Sequence, residues 1–414
     1  MLTNLLRIKK DIENLSEFNE TPENGLTRFS LTESDKKARN YLKNELKKHN
    51  LKVYEDAAGN LFGKMESEIK NKPSIIIGSH FDSVKNGGNF DGPAGVIMAL
   101  EIMRVLKEEN VKLEYPIEFV AMIEEEGGRF GSGLFGSRAM VGDVSYKDLL
   151  KNKDESGISM AKAFEDFGFN PKDIKKAKRN PKDILAFIEL HIEQGPVLKN
   201  ENKDVGIVKS IVGINELKVT IKGRADHAGT TPMNMRKDAL LASSLIISKI
   251  NDFALSRENT VATVGSIKAL PNAFNIVSEK VEFSVDIRSS NLESINFVKE
   301  NITKELRLLE KDLGISWNIE NLIDVKPTNL SEKILNTFIN NANKNNFSYK
   351  KMISGAGHDA MVMANITDVG LIFVPSKDGK SHSCLEWTDY EDLQKGIELI
   401  YHTILEMGEI NDKG

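Results

Sequence analysis

The sequence is poor in cysteine, with Cys384 as the only one among 414 residues. No intrachain disulfide can form, and a reducing compartment is therefore expected, which predicts a cytoplasmic location. The chain also lacks any run approaching the ~20 apolar residues that a membrane-spanning helix needs. Residues 1–20 are polar and charged, so we predict no signal peptide and no membrane association.

An excess of positive charge is also missing. Lys and Arg number 56 and Asp and Glu number 61, which gives a net charge of −5 and no general attraction to nucleic acid. Residues 172–182 form a basic stretch, but Asp173 interrupts it and no aromatic residues accompany it. We interpret this stretch as a solvated loop or helix and predict no nucleic-acid partner.

The overall composition is that of an ordinary globular protein, with 40% hydrophobic and 28% charged residues. A chain of 414 residues exceeds the size at which one hydrophobic core keeps growing. Two domains are therefore expected.

Chemically reactive side chains follow short apolar runs that have the character of buried strands. These runs are residues 74–77, 116–123, 184–190 and 369–374. The groups that follow them are, in the same order, His80 with Asp82 and Asp91, the acidic run Glu124 to Glu126, His191, and His382. Because ligands bind beyond the carboxyl ends of parallel strands, we expect these side chains to share one edge of a sheet.

Imidazole and carboxylate are the ligands that a zinc-like dication prefers. Taken alone, His80 with Asp82 and Asp91 also fits a core histidine beside a helix-capping aspartate. The residues by themselves do not decide between Glu124, Glu125 and Glu126 as the functional acid. The recurrence of such groups after successive strands favours a metal site.

The pattern of elements predicts an α/β fold interrupted by a second domain. Strands and helices alternate up to about residue 210, and Pro93 marks the start of a helix just after Asp91. Half-exposed strands are then expected at 217–222 and 281–288, with helices at 239–250 and 294–308 and a closing strand at 315–319. We predict a discontinuous catalytic domain (1–212 and 327–414), with a mixed, mostly parallel sheet flanked by helices. An α+β domain (213–326) would be inserted as a lid or dimerisation module.

Longer segments carry a resemblance to a known family. They are residues 78–92, 125–138, 190–198, 223–233, 355–360 and 381–383. In this order they resemble the hydantoinase/carbamoylase family, which includes N-carbamoyl-L-amino acid hydrolases and allantoate amidohydrolases within the dinuclear-zinc exopeptidase superfamily. The resemblance runs from about residue 25 to residue 400.

The resemblance implies a metal centre with two divalent ions per subunit. His80 and His191 would bind one ion, Glu126 and His382 the other, and Asp91 would bridge both. Glu125 would act as the general base, and Asp82 would orient His80. Zinc is the expected metal, and manganese, cobalt or nickel would suit the same ligands.

The resemblance also implies residues that bind a small ureido acid. Arg288 would bind the substrate carboxylate, and Gln194, Asn275, Gly357 and His358 would line the site. His227 would reach the active site of the neighbouring subunit in a homodimer and stabilise the oxyanion. The residues alone leave other roles open: a His227 bonded within its own turn, an Arg288 in a surface ion pair, and a tight turn at residues 355–357.

The expected reaction is hydrolysis of the ureido C–N bond of N-carbamoyl-L-amino acids, which gives the free amino acid, ammonia and carbon dioxide. Allantoate is the nearest alternative substrate. An aminoacylase or dipeptidase would use the same metals on an amide bond, and a metal-binding scaffold without activity is a further alternative.

Overall fold

The structure is a computed structural model, and it describes residues 1–408. The chain divides into two compact units. Among the described residues, the first unit contains Met1–Lys209, Leu330–Met352 and residues 358–408, and the second contains Ser210–Asn329 with Ile353–Gly357. The second unit thus includes a short segment, Ile353–Gly357, that follows the expected insertion of residues 213–326.

The strands and α-helices of the described residues are numbered here in chain order. The strands are β1 (Lys52–Glu55), β2 (Leu61–Met65), β3 (Ser74–His80), β4 (Ile117–Met122), β5 (Ile184–Ile192), β6 (Val205–Ile211), β7 (Gly213–Lys222), β8 (Thr260–Thr263), β9 (Ile267–Leu270), β10 (Lys280–Ser289), β11 (Ser316–Val325), β12 (Thr328–Asn329), β13 (Tyr349–Ser354) and β14 (Asp368–Val374). The helices are α1 (Leu5–Ser16), α2 (Glu33–Lys48), α3 (Pro93–Glu108), α4 (Phe135–Val141), α5 (Tyr146–Lys151), α6 (Met160–Phe167), α7 (Val197–Asn200), α8 (Ala239–Leu255), α9 (Leu292–Leu313), α10 (Glu332–Lys344), α11 (Asp359–Met363) and α12 (Tyr390–Gly408).

A nine-stranded mixed sheet forms the centre of the first unit, in the order β1-β2-β4-β3-β5-β14-β6-β12, with β13 also paired to β6. The neighbours β4, β3, β5 and β14 run parallel to one another. These are the apolar runs found in the sequence, and each is buried over nearly its whole length. The predicted α/β class, with a mostly parallel sheet flanked by helices, is confirmed.

Helix α3 is the central helix beside this sheet. Gly92 caps its N-terminus with a φ of 80°, and Pro93 occupies the first turn, as the sequence predicts. The helix is buried from Pro93 to Leu106. It contacts the strands β3, β4 and β5 and the helices α1 and α12. Asp91 is therefore anchored at the rigid start of a core helix.

The second unit has its own core. Its antiparallel sheet has the order β11-β7-β10-β8, with β9 also paired to β10. Alternate residues of β7 and β10 are buried, and they pack with the apolar faces of α8 and α9. The expected helices and half-exposed strands of this region are therefore present, although α8 and α9 are longer than the sequence indicates.

None of the helices within residues 1–408 combines the length and apolar character that a membrane-spanning helix needs.

Candidate metal centre and active site

The carboxyl ends of the parallel strands bring the expected ligands together. His80 is the last residue of β3, and His191 lies one residue before the end of β5. The sequence predicts that both histidines follow the ends of their strands, and this prediction is wrong by a short distance because each strand continues through its histidine. The acidic run follows β4, and His382 follows β14. Parallel strands point their carboxyl ends to one edge, so all four segments meet there.

The first cluster contains His80, Asp91 and His191, which are all buried. Asp91 Oδ1 lies 3.1 Å from His191 Nε2 and 3.6 Å from His80 Nε2. The ligand atoms of this cluster all lie within 4.8 Å of one another. That spacing fits three donors around a single cation.

Main-chain carbonyls fix the proton positions on both histidines. His80 Nδ1 lies 3.2 Å from the carbonyl oxygen of Asp82, and His191 Nδ1 lies 2.9 Å from that of Ile192. A carbonyl oxygen only accepts, so each Nδ1 carries the proton. In the neutral rings, Nε2 then has a lone pair that faces the Asp91 carboxylate. Two lone pairs aimed at a carboxylate oxygen require a proton or a metal ion between them.

The charges around this cluster shift its acid–base equilibria. Burial lowers the pKa of His80, but the carboxylates of Glu125, Asp82 and Asp91 outweigh it and keep this pKa well above the usual value. Burial raises the pKa of Asp91, but the imidazoles of His191 and His80 outweigh it and hold this pKa well below its usual value. The site therefore favours positive charge beside Asp91.

The second cluster contains Asp91, Glu126 and His382. His382 Nε2 lies 3.3 Å from Glu126 Oε1 and 3.5 Å from Asp91 Oδ2. The close contact with the Glu126 carboxylate, together with the charges of Asp91 and Glu386, raises the pKa of His382 to about 9 against the effect of burial. Glu126 Oε1 is buried, yet it accepts no well-formed hydrogen bond. A buried carboxylate oxygen of this kind is matched to a cation.

These observations fit a dinuclear site. The two clusters share Asp91, whose Oδ1 faces His80 and His191 and whose Oδ2 faces His382. The donors are imidazole nitrogens and carboxylate oxygens, which suit zinc and other borderline divalent metals. The residues that could hold two ions are therefore His80, His191, Asp91, Glu126 and His382.

Glu125 lies beside the first cluster, with its Oε2 3.7 Å from His80 Nε2. Burial raises the pKa of the Glu125 carboxyl well above its usual value, and the charges of Glu126, Asp359 and Asp82 add to the effect while His80 opposes it. The adjacent Glu124 differs in orientation. Its Oε1 accepts hydrogen bonds from the backbone N–H groups of Phe130 and Arg129. The structure thus separates the acidic run into a loop-supporting Glu124 and two acids at the cluster.

Asp82 contacts both His80 and the backbone of the acidic run. Its carboxylate accepts the backbone N–H groups of Glu125 at 3.1 Å and Glu126 at 3.2 Å. The carboxylate atom Oδ1 of Asp82 lies 3.6 Å from His80 Nδ1. The main-chain carbonyl oxygen of Asp82 is closer to the same Nδ1, at 3.2 Å. The orienting contact to His80 thus runs mainly through the Asp82 backbone. The carboxylate positions the next strand's loop.

Gln194 contacts the cluster directly. Its Nε2 donates to Asp91 Oδ2 at 2.7 Å and lies 3.3 Å from Ser381 Oγ. Ser381 also donates to Asp91 Oδ2, at 2.6 Å. Sequence reasoning proposed Gln194 as a substrate ligand, and in the structure its amide is engaged with Asp91.

Buried polar residues behind the cluster were missed by sequence reasoning. Glu189 accepts hydrogen bonds from Ser79 Oγ and from the backbone N–H of Ala360. Asp359 accepts from Ser137 Oγ, and burial, then the charge of Glu189, raises its pKa to about 7. The signal available in the sequence was Glu189, the single acidic residue inside the apolar run 184–190.

His358 is buried and packs against the cluster. Its ring centroid lies 4.5 Å from that of His191 in an edge-on arrangement. Burial, together with the charge of His191, holds the pKa of His358 well below its usual value. A neutral imidazole is therefore expected here. Gly357 lies half-buried in the loop just before it.

In the second unit, His227 is exposed and bonded within its own turn. Its Nδ1 accepts the backbone N–H groups of Gly229 at 3.0 Å and Thr230 at 3.2 Å. His227 also forms an isolated β-bridge with Ile276, and the N–H of Ala228 donates to the carbonyl of Asn275. The structure thus brings together two residues, His227 and Asn275, to which the family resemblance assigns roles in substrate binding.

Arg288 forms the surface ion pair that the sequence left open. Its Nε and Nη2 donate to the Asp286 carboxylate at 3.0 and 2.9 Å, and its Nη1 donates to the carbonyl of Gly355 at 2.9 Å. The hydrogen bond with Asp286 raises the pKa of Arg288. The guanidinium is therefore held in one orientation within the second unit.

Comparison with known proteins gives consistent matches. Residues 76–406 match the model of peptidase family M20/M25/M40. The chain is 42% identical over 396 residues to an N-carbamoyl-L-amino-acid amidohydrolase of Paenarthrobacter aurescens, a match that spans 95% of this chain and 96% of that protein. It is 35% identical over 394 residues to an allantoate amidohydrolase of Bacillus subtilis, spanning 94% of each.

One solved structure is similar to this chain over nearly its full length. It is an amidase of the hydantoinase/carbamoylase family from Burkholderia multivorans, with a TM-score of 0.91 and 30% sequence identity. The match covers 98% of both chains.

Proposed function

The chain belongs to peptidase family M20/M25/M40 and, within it, to the hydantoinase/carbamoylase family, and from this membership we propose that it hydrolyses the ureido C–N bond of N-carbamoyl-L-amino acids. The products would be the free amino acid, ammonia and carbon dioxide. The observation that carries the proposal is the pair of imidazole Nε2 atoms, from His80 and His191, aimed at one oxygen of Asp91. The cytoplasmic location expected from the single cysteine is part of the same proposal.

The proposed ligands are His80 and His191 for one ion, Glu126 and His382 for the other, and Asp91 between them. Two divalent ions in such a site supply a polarised carbonyl and a water of lowered pKa. Zinc is the proposed metal, with manganese, cobalt or nickel as alternatives. Family membership and the two clusters support metal dependence.

Glu125 is the proposed general base. It would take a proton from the attacking water and deliver it to the leaving nitrogen. The raised pKa of its buried carboxyl supports this role, because a group that accepts and then releases a proton needs a pKa closer to neutrality than that of an exposed glutamate. Asp82 would keep Glu125 in place through the backbone hydrogen bond at 3.1 Å.

Substrate recognition is assigned to the polar groups around the cluster and in the second unit. Arg288 would bind the α-carboxylate of the substrate. Because Asp286 already holds the guanidinium in one orientation, it needs little reorganisation to form charge-assisted hydrogen bonds. Gln194, Asn275, Gly357 and His358 would bind the remaining polar atoms of the ureido acid. The second unit would close over the substrate as a lid.

His227 is proposed to act in the neighbouring subunit of a homodimer. Because its Nδ1 accepts two backbone N–H groups, the ring proton lies on Nε2 of the exposed imidazole. This N–H is a suitable donor for an oxyanion. The dimer would involve exposed apolar groups of the second unit: Leu240, Leu241 and Leu245 on α8, and Val261 on the edge strand β8.

The activity is tested by ammonia release from metal-loaded protein. The panel contains N-carbamoyl-L-methionine, allantoate, N-carbamoyl-β-alanine and N-acetyl-L-methionine, with free methionine measured for the last compound. Preferential turnover of N-carbamoyl-L-methionine is expected. Turnover of allantoate alone would favour the second candidate function, which the 35% identity to an allantoate amidohydrolase supports. Methionine release from the acetyl compound alone would refute ureido specificity.

The role of His227 is tested by subunit complementation. His227→Ala and Glu125→Gln are each expected to be inactive as homodimers. Coexpression produces mixed dimers in which one site combines an intact Glu125 with an intact His227 from the other chain. Recovery of activity in the mixture is expected, and its absence would place His227 in its own subunit's site. Retained activity in His227→Ala alone would place this residue outside catalysis. Leu241→Glu should yield monomers in light scattering and abolish the recovery.

A further inference from the structure

Glu386 lies next to the proposed metal centre and has no role in the function described above. It follows His382 in the segment between β14 and α12, and its side chain is 5% exposed. Its Oε1 accepts two backbone N–H groups, from Phe90 at 2.9 Å and from Asp91 at 3.0 Å. Its Oε2 lies 3.0 Å from the hydroxyl of Ser381. One carboxylate thus joins the loop that carries Asp91 to the loop that carries His382.

The Asp91 loop is shaped around this contact. A Cβ atom at Gly88 would lie 2.3 Å from the Glu386 carboxyl group, so only glycine lets the carboxylate reach the backbone. The Phe90 ring packs against Trp387 at 5.4 Å and Tyr390 at 5.7 Å between ring centroids. The segment after Glu386 therefore docks on the same loop and keeps the carboxylate in register.

The two oxygens of Asp91 have separate tasks, and their placement depends on the backbone that carries them. Oδ1 faces His80 and His191, and Oδ2 receives Gln194 and Ser381. Ser381 Oγ lies 2.6 Å from Asp91 Oδ2, to which it donates its proton, and 3.0 Å from Glu386 Oε2. Glu386 therefore contacts the Asp91 main chain directly and the Asp91 side chain through Ser381.

We propose that Glu386 is a positioning residue for the dinuclear centre, which sets the geometry of the shared ligand Asp91 relative to His382. The proposal rests on the proposed metal centre and adds a residue to it. A residue behind the ligands of this kind changes metal affinity by about 10- to 100-fold when it is removed. Its effect should reach both ions, because both depend on Asp91.

The test separates hydrogen-bond acceptance from charge. Glu386→Gln keeps an oxygen for the Phe90 and Asp91 N–H groups and an amide that can donate to Ser381, so metal affinity should stay close to that of the wild type. Glu386→Leu leaves both N–H groups without an acceptor, and a fall of about 10- to 100-fold is expected. Gly88→Ala should reproduce the loss with the carboxylate still present. Affinity is measured by competition with a chromophoric chelator, using Zn²⁺ and Co²⁺ alone.

A matched control is available in Glu398. This buried carboxylate also accepts two backbone N–H groups, from Leu2 at 2.9 Å and Thr3 at 3.1 Å, and one hydroxyl, from Thr3 at 2.7 Å. Glu398→Leu should lower the melting temperature but leave metal affinity unchanged. The visible absorption of bound Co²⁺ gives a second readout, and its pattern should change in Glu386→Leu and remain constant in Glu398→Leu.

Wild-type affinity in Glu386→Leu, or equal losses in the Gln and Leu variants, would overturn the proposal. Because these experiments contain no substrate, they do not depend on the reaction. A protein that binds metal as described but hydrolyses no ureido acid would refute the proposed function and leave the role of Glu386 intact.

Discussion

The proton positions on His80 and His191 decide what the cluster can bind. The carbonyl groups of Asp82 and Ile192 accept from Nδ1, which leaves both Nε2 atoms facing Asp91. The residue types could be predicted from the sequence because His and Asp stand out after apolar runs. The tautomers could not, because a main-chain carbonyl carries no sequence signal and its direction depends on the path of the chain.

Glu125→Gln is expected to remove catalysis without removing the metals. An amide cannot accept a proton from water, so kcat should fall by about 10²- to 10⁴-fold while KM changes little. Steady-state kinetics and metal analysis of the same preparation provide the measurement. Glu124→Gln is the control, since its amide oxygen can still accept from Arg129 and Phe130. Similar losses in both variants would contradict the separation of roles within the acidic run.

Gly92→Ala is expected to damage the first cluster. The added Cβ would lie 2.4 Å from the His80 ring, and the φ of +80° is unfavourable for alanine. We expect a loss of about 1–3 kcal/mol from the backbone strain, together with weaker metal binding from the displaced ring. Gly131→Ala is the matched control, because Gly131 has a φ of +67° with no atom within 4 Å of the added Cβ.

Urea unfolding and metal titration of the two glycine variants separate the strain from the collision. Both variants should lose stability, and only Gly92→Ala should lose metal affinity. Equal metal affinity in the two variants would show that the ring contact has no functional consequence.

The strands β3, β4, β5 and β14 create the site by running parallel, so that separate segments end at one edge of the sheet. Their apolar, β-branched character made them recognisable in the sequence. Their order in the sheet was not recognisable, because strand neighbours are chosen by long-range packing. The detailed ends also escaped prediction, since the hydrogen-bond ladder extends through His80 and His191.

The contact between helix α12 and the N-terminal segment should make the free energy of unfolding depend on pH in the acidic range. Glu398 on α12 is 3% exposed, and although burial opposes ionisation, His402, Thr3 and the backbone N–H groups of Leu2 and Thr3 lower its pKa to about 2. A carboxyl with a lowered folded-state pKa stabilises the protein above its unfolded-state pKa. This contribution is lost as the pH falls from 4.5 toward about 2.

The measurement compares wild type and Glu398→Gln by urea unfolding at several pH values. The difference in unfolding free energy between the two proteins should have its maximum value above pH 4.5 and should decrease as the pH falls toward about 2. Glu391→Gln, at an exposed position in the first turn of the same helix, should show little effect. A difference that does not vary with pH would mean that ionisation of Glu398 does not contribute.

The two compact units have separate hydrophobic cores, and the proposed metal ligands all belong to the first unit. Metal binding should therefore stabilise the first unit selectively. Bound ligand adds about 2.7 kcal/mol when its free concentration is 100 times Kd. Removal of the metal with a chelator should lower the thermal unfolding temperature of the first unit and leave that of the second unit unchanged.

Hydrogen exchange with and without a chelator assigns the effect to elements. Protection should fall in β3 and β5 and remain constant in β7, β10 and α8. Equal losses in both units would mean that they unfold as one cooperative body, and no change in either would exclude a metal centre at this edge of the sheet.

The sequence by itself determined the fold class, the family and the chemical identity of the metal-site residues. Apolar periodicity is a local property of the chain, and the motifs from residue 78 to residue 383 are long enough to identify the family. It also predicted the elements of the second unit, because alternate burial in β7 and β10 leaves a clear alternating pattern.

Only the tertiary structure decided how these residues are supported. Glu386 lies far from Asp91 in sequence, and nothing local marks it as the acceptor of the Asp91 N–H. The same applies to Asp82, which supports the loop of a neighbouring strand, and to Asp286, which orients Arg288. Hydrogen bonds between distant segments depend on where the folded backbone places donors and acceptors. This information exists only once the strands have been brought together.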